Sequence, residues 1–463
     1  MKDEGSIAAD GNRVGRRAFL LSVVVYGLIL AGLIARSGPV LALSLLYVAY
    51  LVAGLLRAPG EVSLKITRTL SAERVGTNMP IEVTVAVTSD GPPQEEVLIE
   101  DQVPHGLTVS DGSPRHLLRL PRSTGPHTAT WKYTVCGPRG YYAFSAVRAK
   151  AHDPLGLVSR ERTFALPAAR PLFILPPVLH LRYVAIRPRR TRVYSGLIPA
   201  RVGGTGTDFF GVREYQAGDP PHWINWHATA RHPDTLFSNE FEQERVTDIG
   251  IVLDGRQRAN LYAHHSIFEH STLAAAALAD VFLSQGNRVS LLLYGRFLQW
   301  TMPGYGKVQR ERILRALAQA QVGDSQAFAD LDNIPTRLFP AHSQVILISP
   351  LLHANSPLVR ERADDVEILI RLRARGYQVM IISPDPVAFE ESILHAAPRQ
   401  KISSADLELA ARVARIERSL MLQRLQKAGI QVINWDVSKP FEQTVHSHLG
   451  RPLAYLRAVG GNR

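Results

Sequence analysis

Asp219, His222, His227 and His232 are the residues of this 463-residue chain whose types and spacing come closest to acid–base or metal chemistry. A carboxylate beside an imidazole could run a hydrolysis, with Asp219 orienting His222 or His227 as general base. Histidines at five-residue intervals also invite a metal-site reading. The spacing works against it, because five residues do not return to one helix face and in a strand alternate members point to opposite sides. Just upstream, Gly203-Gly204-Thr205-Gly206 offers backbone amides to a phosphate. The run lacks the Walker spacing and has no Lys-Ser/Thr after it, so it reads as a loop whose glycines permit positive φ. Neither a serine elbow, an HExxH pair nor a Walker loop occurs in the chain. The expectation is a protein that is not an enzyme and carries no cofactor and no metal; a hydrolase built on Asp219, His222 and His227 is the alternative.

The same stretch is rich in residues that recognise rather than react. Arg213 and Arg231 can pair bidentately with Glu214, Asp219 or Glu240 and fix how neighbouring domains meet, with Tyr215 and Asn225 in the same polar run. Trp223 and Trp226 would equally serve as anchors for a partner. The flanking run from His180 to Arg201 contains Arg182, Arg187, Arg189, Arg190, Arg192 and Arg201 with no acid. An anionic leaflet attracts such a segment by ~1 kcal/mol per basic residue near the surface. A solvated basic linker explains it as well. No nucleic-acid-binding motif accompanies the arginines, so no nucleic acid is expected as a ligand. The excess of 53 Lys and Arg over 41 acidic residues, a formal charge of +12, favours anionic partners in general. A lone cysteine, Cys136, excludes an intrachain disulfide framework.

What positions these residues is legible as a sequence of contrasting segments. Ala18 to Ala35 and Val40 to Leu56 carry no charge, and each is close to the ~20 residues that a helix needs to cross a bilayer. Arg36-Ser37-Gly38-Pro39 between them leaves room only for a turn. Lys2, Arg13, Arg16 and Arg17 precede the pair and Arg57, Lys65 and Arg68 follow it, against Arg36 alone in the turn. The positive-inside rule then predicts a transmembrane hairpin in the cell membrane with both termini cytoplasmic. A signal peptide fits less well: no small-residue cleavage site is evident and a second apolar run follows at once.

Beyond the hairpin, Val62-Leu64-Ile66 and Ile81-Val83-Val85-Val87 alternate with polar residues and stop at Gly/Pro/Asp clusters, the pattern of antiparallel strands in a sandwich. From residue 247 the pattern changes to apolar strands alternating with helices, which builds a mostly parallel sheet covered on both faces. Asp254, Ser349 and Ser383, at the ends of three such strands, mark the rim where ligands of these sheets bind. The expected organisation is an N-terminal tail (1–17), the hairpin (18–57), a β-sandwich (58–170), a basic linker with the polar run (171–246), a doubly wound α/β domain (247–440) and a C-terminal helix and tail (441–463).

Gly203 to Asp219 and Ile224 to Arg231, with Asn239-Glu240 and Glu242 to Arg245, resemble the signature of the domain of unknown function 58 family. Within it Gly204, Gly206, Asp208, Phe209, Arg213, Glu214, Tyr215, Gly218, Asp219, Asn225, Trp226, Arg231 and Glu240 carry the match. Pro138 to Tyr141 and Asp153 to Leu157 extend it into the β-rich part. The resemblance implies a membrane-anchored protein with a von Willebrand factor A-like domain at the C-terminal end, partnered with a MoxR-type AAA+ ATPase; the strand pattern before it is expected to give an immunoglobulin-like sandwich. The resemblance also implies arginine near position 222, which speaks against an inherited histidine site. Metal-binding von Willebrand A-like domains carry Asp-x-Ser-x-Ser after the first strand and a further aspartate after a later one. Here the first strand ends Asp254-Gly255-Arg256-Gln257-Arg258, and Pro350 stands where the later aspartate belongs. Two arginines in place of hydroxyl ligands oppose a divalent ion. The expectation is a degenerate site, with Asp254 paired to Arg256 or Arg258 or capping the next helix.

Overall fold

The computed structural model describes residues 11–14, 16–60, 62–89, 94–120, 127–152, 155, 157–166, 171–181, 184, 192–232, 234–256, 267–294, 299–323, 339, 343–351, 365–389 and 404–449. The chain forms two compact units, Met1–Leu175 and Pro176–Arg463.

The first unit opens with a short strand, β1 (Gly11–Val14), and two helices, α1 (Arg16–Ile34) and α2 (Gly38–Leu56). Their turn is tight because Arg36 takes a left-handed φ of 47° and Ser37 N–H reaches back to Gly32 C=O at 3.1 Å. That is the pattern that closes a helix C-terminus. Gly32 lets the helices approach, since a Cβ there would lie 2.8 Å from the Leu41 side chain. The helices turn Phe19, Val23, Tyr26, Leu45, Leu46 and Leu55 outward, the reverse of a soluble helix pair. Only 11% of α2 is buried. The apolar part of α1, Ala18–Ile34, is shorter. Near the base of the hairpin Ala18 and Leu51 pack with Leu155, Leu157 and Val158.

The β-rich body contains β2 (Leu64–Leu70), β3 (Arg74–Gly76), β4 (Ile81–Ser89), β5 (Gln94–Asp101), β6 (Thr108–Gly112), β7 (Arg115–Leu120), β8 (His127–Cys136), β9 (Gly140–Tyr142), β10 (Ala146–His152), β11 (Val158–Ala165) and β12 (Leu172–Leu175). One antiparallel sheet has the order β2-β4-β8-β6 and the other β1-β11-β10-β5-β7; a small sheet, β3-β12-β9, completes the body. Alternation in β4 buries Ile81, Val83, Val85 and Val87, which share a core with Val97 and Ile99 of β5 and Val147 and Ala149 of β10. Within that core Asp101 accepts hydrogen bonds from Arg68 and from Tyr133 Oη at 2.6 Å. Strand β12 pairs with β3 and β9, so the first unit runs to Leu175 and takes in residues expected in the linker.

The second unit begins with a two-stranded ribbon, β13 (Arg192–Glu214) and β14 (Phe237–Val246). The glycine run expected as a loop lies inside β13. Its glycines are used differently: register shifts fall between Ala200 and Gly203 and between Gly204 and Phe209, where the longer strand must bulge against the shorter one. Between the strands lie a 3₁₀ turn at Pro221–Trp223 and a one-turn helix, α3 (Trp226–Thr229). Then follow β15 (Asp248–Asp254), α4 (Ile267–Ser284), β16 (Arg288–Tyr294), β17 (Gln299–Gly304), α5 (Gly306–Gln319), β18 (Gln344–Ile348), α6 (Asp365–Ala374), β19 (Gln378–Pro384), α7 (Ser404–Lys427), β20 (Gln431–Trp435) and α8 (Phe441–Leu449). Six strands form one sheet in the order β17-β16-β15-β18-β19-β20, all parallel except the edge strand β17. Val252, Val345, Leu347, Val379 and Ile381 share a core with α6 and α7. Their neighbours Ile251, Leu253, Ile346 and Ile348 are buried too, so both faces of the central strands are covered. Helix α4 is apolar enough to resemble a membrane span, but 72% of it is buried and it packs on β15, β16, β18 and β19.

Candidate functional site

In strand order the sheet reads outward in both directions from β15 and β18: the chain moves from β15 to β16 and β17 on one side, then crosses to β18, β19 and β20 on the other. The crevice at such a reversal, outside the carboxyl ends of the strands, is where open α/β sheets take ligands. Asp254 closes β15 at this point and Ser349 follows β18; Ser349 Oγ donates to Asp254 Oδ2 at 2.7 Å. Both residues thus stand at the carboxyl ends of adjacent strands.

The rim is closed by the protein's own cations. Arg256 Nε and Nη2 donate to the two oxygens of Asp254 at 2.8 and 2.6 Å. Its Nη1 and Nη2 donate to the two oxygens of Asp365, the first residue of α6, at 3.2 and 3.0 Å. All three side chains are buried. Burial works against ionisation of Asp254, but the Arg256 guanidinium and the Ser349 hydroxyl outweigh it and hold its carboxyl below the usual carboxylate range. Burial also works against charge on Arg256, and the two carboxylates reverse that and raise its pKa. A divalent cation does not fit these residues: one guanidinium bridges both carboxylates through hydrogen bonds of 3.2 Å or less. Arg258 lies outside the described residues. The residues that would start a helix after Asp254, 257–266, also lie outside the described residues, and with them the expected cap.

A second arginine fills the neighbouring strand ends. Arg418 of α7 donates to Pro350 O at 2.6 Å, Ser383 Oγ at 2.8 Å and Asn434 Oδ1 at 2.9 Å. Its Nε lies 3.7 Å from Asp385. Burial lowers its pKa, with Asp385 opposing. Pro350 thus contributes a backbone carbonyl rather than a side-chain ligand. Arg418 and Asp365 escaped the sequence reading. The signal was present in α7, where Arg418 interrupts a face that otherwise buries Met421, Leu422 and Leu425.

At the far end of the ribbon the polar residues form a compact knot. Arg213 Nη2 donates to Asp219 Oδ1 at 2.7 Å, and its Nε lies 3.6 Å from Glu240. Asp219 Oδ2 also accepts the Gln216 N–H at 3.0 Å, closing a turn in which Gly218 takes a φ of 114°. The Arg213 hydrogen bond, then the Gln216 amide, hold the Asp219 carboxyl below its ordinary range, and the carboxylate pulls Arg213 upward. Tyr215 Oη donates to Asp219 O, Asn225 Nδ2 donates to Asn239 Oδ1 at 2.7 Å, and Asn225 Oδ1 caps α3 through the Ala228 N–H. Glu214 and Arg231 are exposed, and Arg231 pairs with none of the described carboxylates. His222 stacks edge-on against Trp223 and His232 lies against Phe237; among the described residues no cluster of three metal-ligating side chains occurs. Phe209, Val212, Trp226 and Leu236 are exposed around this knot. Gly204, Gly206 and Asp208 lie in β13, and their side chains, like that of Arg192, are outside the described set; Arg187, Arg189 and Arg190 lie outside the described residues altogether.

Residues 211–383 match the family model described as "Protein of unknown function DUF58". The chain carries a DUF58 region. The match begins inside β13 and ends at Ser383, so it takes in both the polar knot and the rim with Asp254, Arg256, Ser349 and Asp365. Gly204, Gly206, Asp208 and Phe209 precede it, and α7 with Arg418 follows it. No curated protein matches the chain.

Proposed function

We propose that the protein is a non-enzymatic, membrane-anchored binding body that engages a protein partner through its DUF58 region. The observation that carries this reading is the contrast between two surfaces of that region. Its ligand crevice is occupied by Arg256 and Arg418, while Trp226, 69% exposed, stands in the polar knot. A large aromatic beside fixed charges is the composition of a binding hot spot rather than of a reaction centre. Asp219, the carboxylate that the hydrolase alternative would use, is bound to Arg213 and a backbone amide. The hairpin supplies the anchor in this reading. Strand β1 before α1 pairs with β11, and β2 follows α2 into the same β-rich body, which supports an arrangement with both ends of the hairpin on one side. The basic flanks make that side the cytoplasm. Family resemblance supplies the partner class, a MoxR-type AAA+ ATPase acting on other proteins, and the von Willebrand A-like description of the α/β part; the paired antiparallel sheets support the immunoglobulin-like description of the β-rich body.

The test is affinity capture of the full chain from detergent-solubilised native membranes, with and without ATP, against Trp226→Ala. Nucleotide-dependent recovery of an AAA+ ATPase, reduced at least tenfold in affinity by Trp226→Ala if that residue is a hot spot, is the expected result. Capture that yields no ATPase under conditions that retain a known partner pair removes the partner assignment.

A further inference from the structure

Helix α7 presents two different faces. Arg418, Met421, Leu422 and Leu425 are buried. On the other side Leu409, Val413, Ile416 and Leu420 are all exposed, Leu409 and Leu420 by more than 60%. Their separations of four, three and four residues are those of a coiled-coil seam, with Leu409 and Ile416 at d and Val413 and Leu420 at a. A helix that lies on lipid shows a wider apolar face. This stripe is instead narrow, flanked by exposed Glu408, Arg412, Glu417 and Ser419.

The flanking charges select the occupant. In the seam's register Arg412 falls at g and Glu417 at the e position of the following heptad. In a parallel two-stranded pair, g of one helix faces that e of the other. A second copy related by a two-fold axis therefore places Arg412 opposite its partner's Glu417 and Glu417 opposite its partner's Arg412, while the four apolar residues meet their own counterparts. Among the described residues neither Arg412 nor Glu417 has an ion-pair partner within its own chain.

We propose that α7 is a homodimerisation helix, which pairs in parallel with α7 of a second copy through Leu409, Val413, Ile416 and Leu420. A free peptide of three turns would not pair, because it must first order itself. Here the buried half of α7 is packed on α6 and β20, so the seam is presented on a helix already formed. Confinement of two copies to one membrane raises their effective concentration further; that increment rests on the anchoring proposed above, and the pairing itself does not.

Disulfide trapping of the full chain in its own membranes, in a Cys136→Ser background, tests the pairing. Parallel pairing brings Leu409→Cys against its own counterpart within the Cα separation that a disulfide accepts. The expected result is a disulfide-linked dimer from Leu409→Cys after mild oxidation, and none above background from Glu408→Cys, which lies off the seam. Arg412→Glu should lower the dimer association constant about fivefold, from loss of two partly exposed pairs. Adding Glu417→Arg in the same chain should restore it. Linking only between Leu409→Cys chains and Leu420→Cys chains would mean antiparallel packing and overturn the proposal. So would protection of both cysteines from a water-soluble thiol reagent without any linking, the outcome for a lipid surface or another segment of the same chain. Sedimentation of each sample reads the anchoring separately: protein that pellets with membranes yet never links leaves the anchor standing and removes the dimer.

Discussion

Arg256 shows how a single residue type can settle what a crevice does. Asp254 and Asp365 are both buried at the end of the sheet and would repel one another without a counter-charge. One guanidinium, planar and with donors in a fixed fork, reaches both. Truncation by Arg256→Ala should destabilise the second unit by about 3–5 kcal/mol, because two buried carboxylates lose the guanidinium that bridges them. Chemical denaturation followed by Trp fluorescence measures it, and a loss under about 1 kcal/mol would mean that water replaces the guanidinium without cost. Arg256→Lys should recover only part of the loss, since an ammonium cannot make the same forked contacts. The pH dependence has a definite sign. The Asp254 carboxyl is held below its ordinary value in the fold, so its contribution is complete above the unfolded aspartate pKa of ~4 and is lost as pH falls through the lower folded value. Without Arg256, burial favours the protonated carboxyl, so the stability gap between Arg256→Ala and the parent should be largest near neutral pH and narrow as the medium is acidified. Half of this site was legible in the sequence, because Asp254 and Arg256 are two residues apart on one strand end. Asp365 is 109 residues from Arg256 and Arg418 lies on a helix beyond the matched region, so only tertiary packing brings them in.

At the scale of elements, the same contrast separates what alternation can reveal from what packing decides. The apolar runs of β15, β16, β18 and β19 are visible because a strand buried on both faces has almost no exposed polar positions to interrupt it. Strand β13 was not visible: its glycines and Pro199 are turn residues by propensity, yet its length is taken up by bulges against β14. Gly250, in the middle of β15, is a third case. Nothing in the sequence distinguishes it from any glycine in a weak strand, but a Cβ there would overlap the ring of Phe339, which packs directly on the strand. Its role is therefore close approach and not backbone freedom. Gly250→Ala should cost about 1–3 kcal/mol by overpacking. Combining it with Phe339→Leu should cost less than the sum of the two single changes, because the smaller side chain vacates the space that the new methyl needs. Additive losses in thermal denaturation would place the clash elsewhere.

For the molecule as a whole, the decisive feature is that the β-rich body closes around both ends of the hairpin. Residues Gly11–Val14 precede the first helix and pair antiparallel with Val158–Glu161 of β11, while the chain that leaves the second helix enters β2. The hairpin is then an excursion from the body rather than an appendage at its end. A chain beginning at Ala58 would lose the apolar helices but also leave the outer edge of β11 without its strand. Unpaired edges of this kind recruit other chains. The truncated protein should therefore leave the membrane pellet on alkaline extraction yet self-associate, whereas replacing residues 16–57 by a flexible linker that keeps β1 should give a soluble body without that association. Linker length matters here. The two attachment points are already brought close by the hairpin, and each doubling of a flexible loop adds only about 0.6 kcal/mol of closure cost, so a moderate linker suffices. If the linker protein still pellets with membranes at alkaline pH, the helices are not the anchor. If both proteins stay monodisperse, β1 is not needed to cover the β11 edge, and its pairing no longer supports placing the N-terminus beside the body.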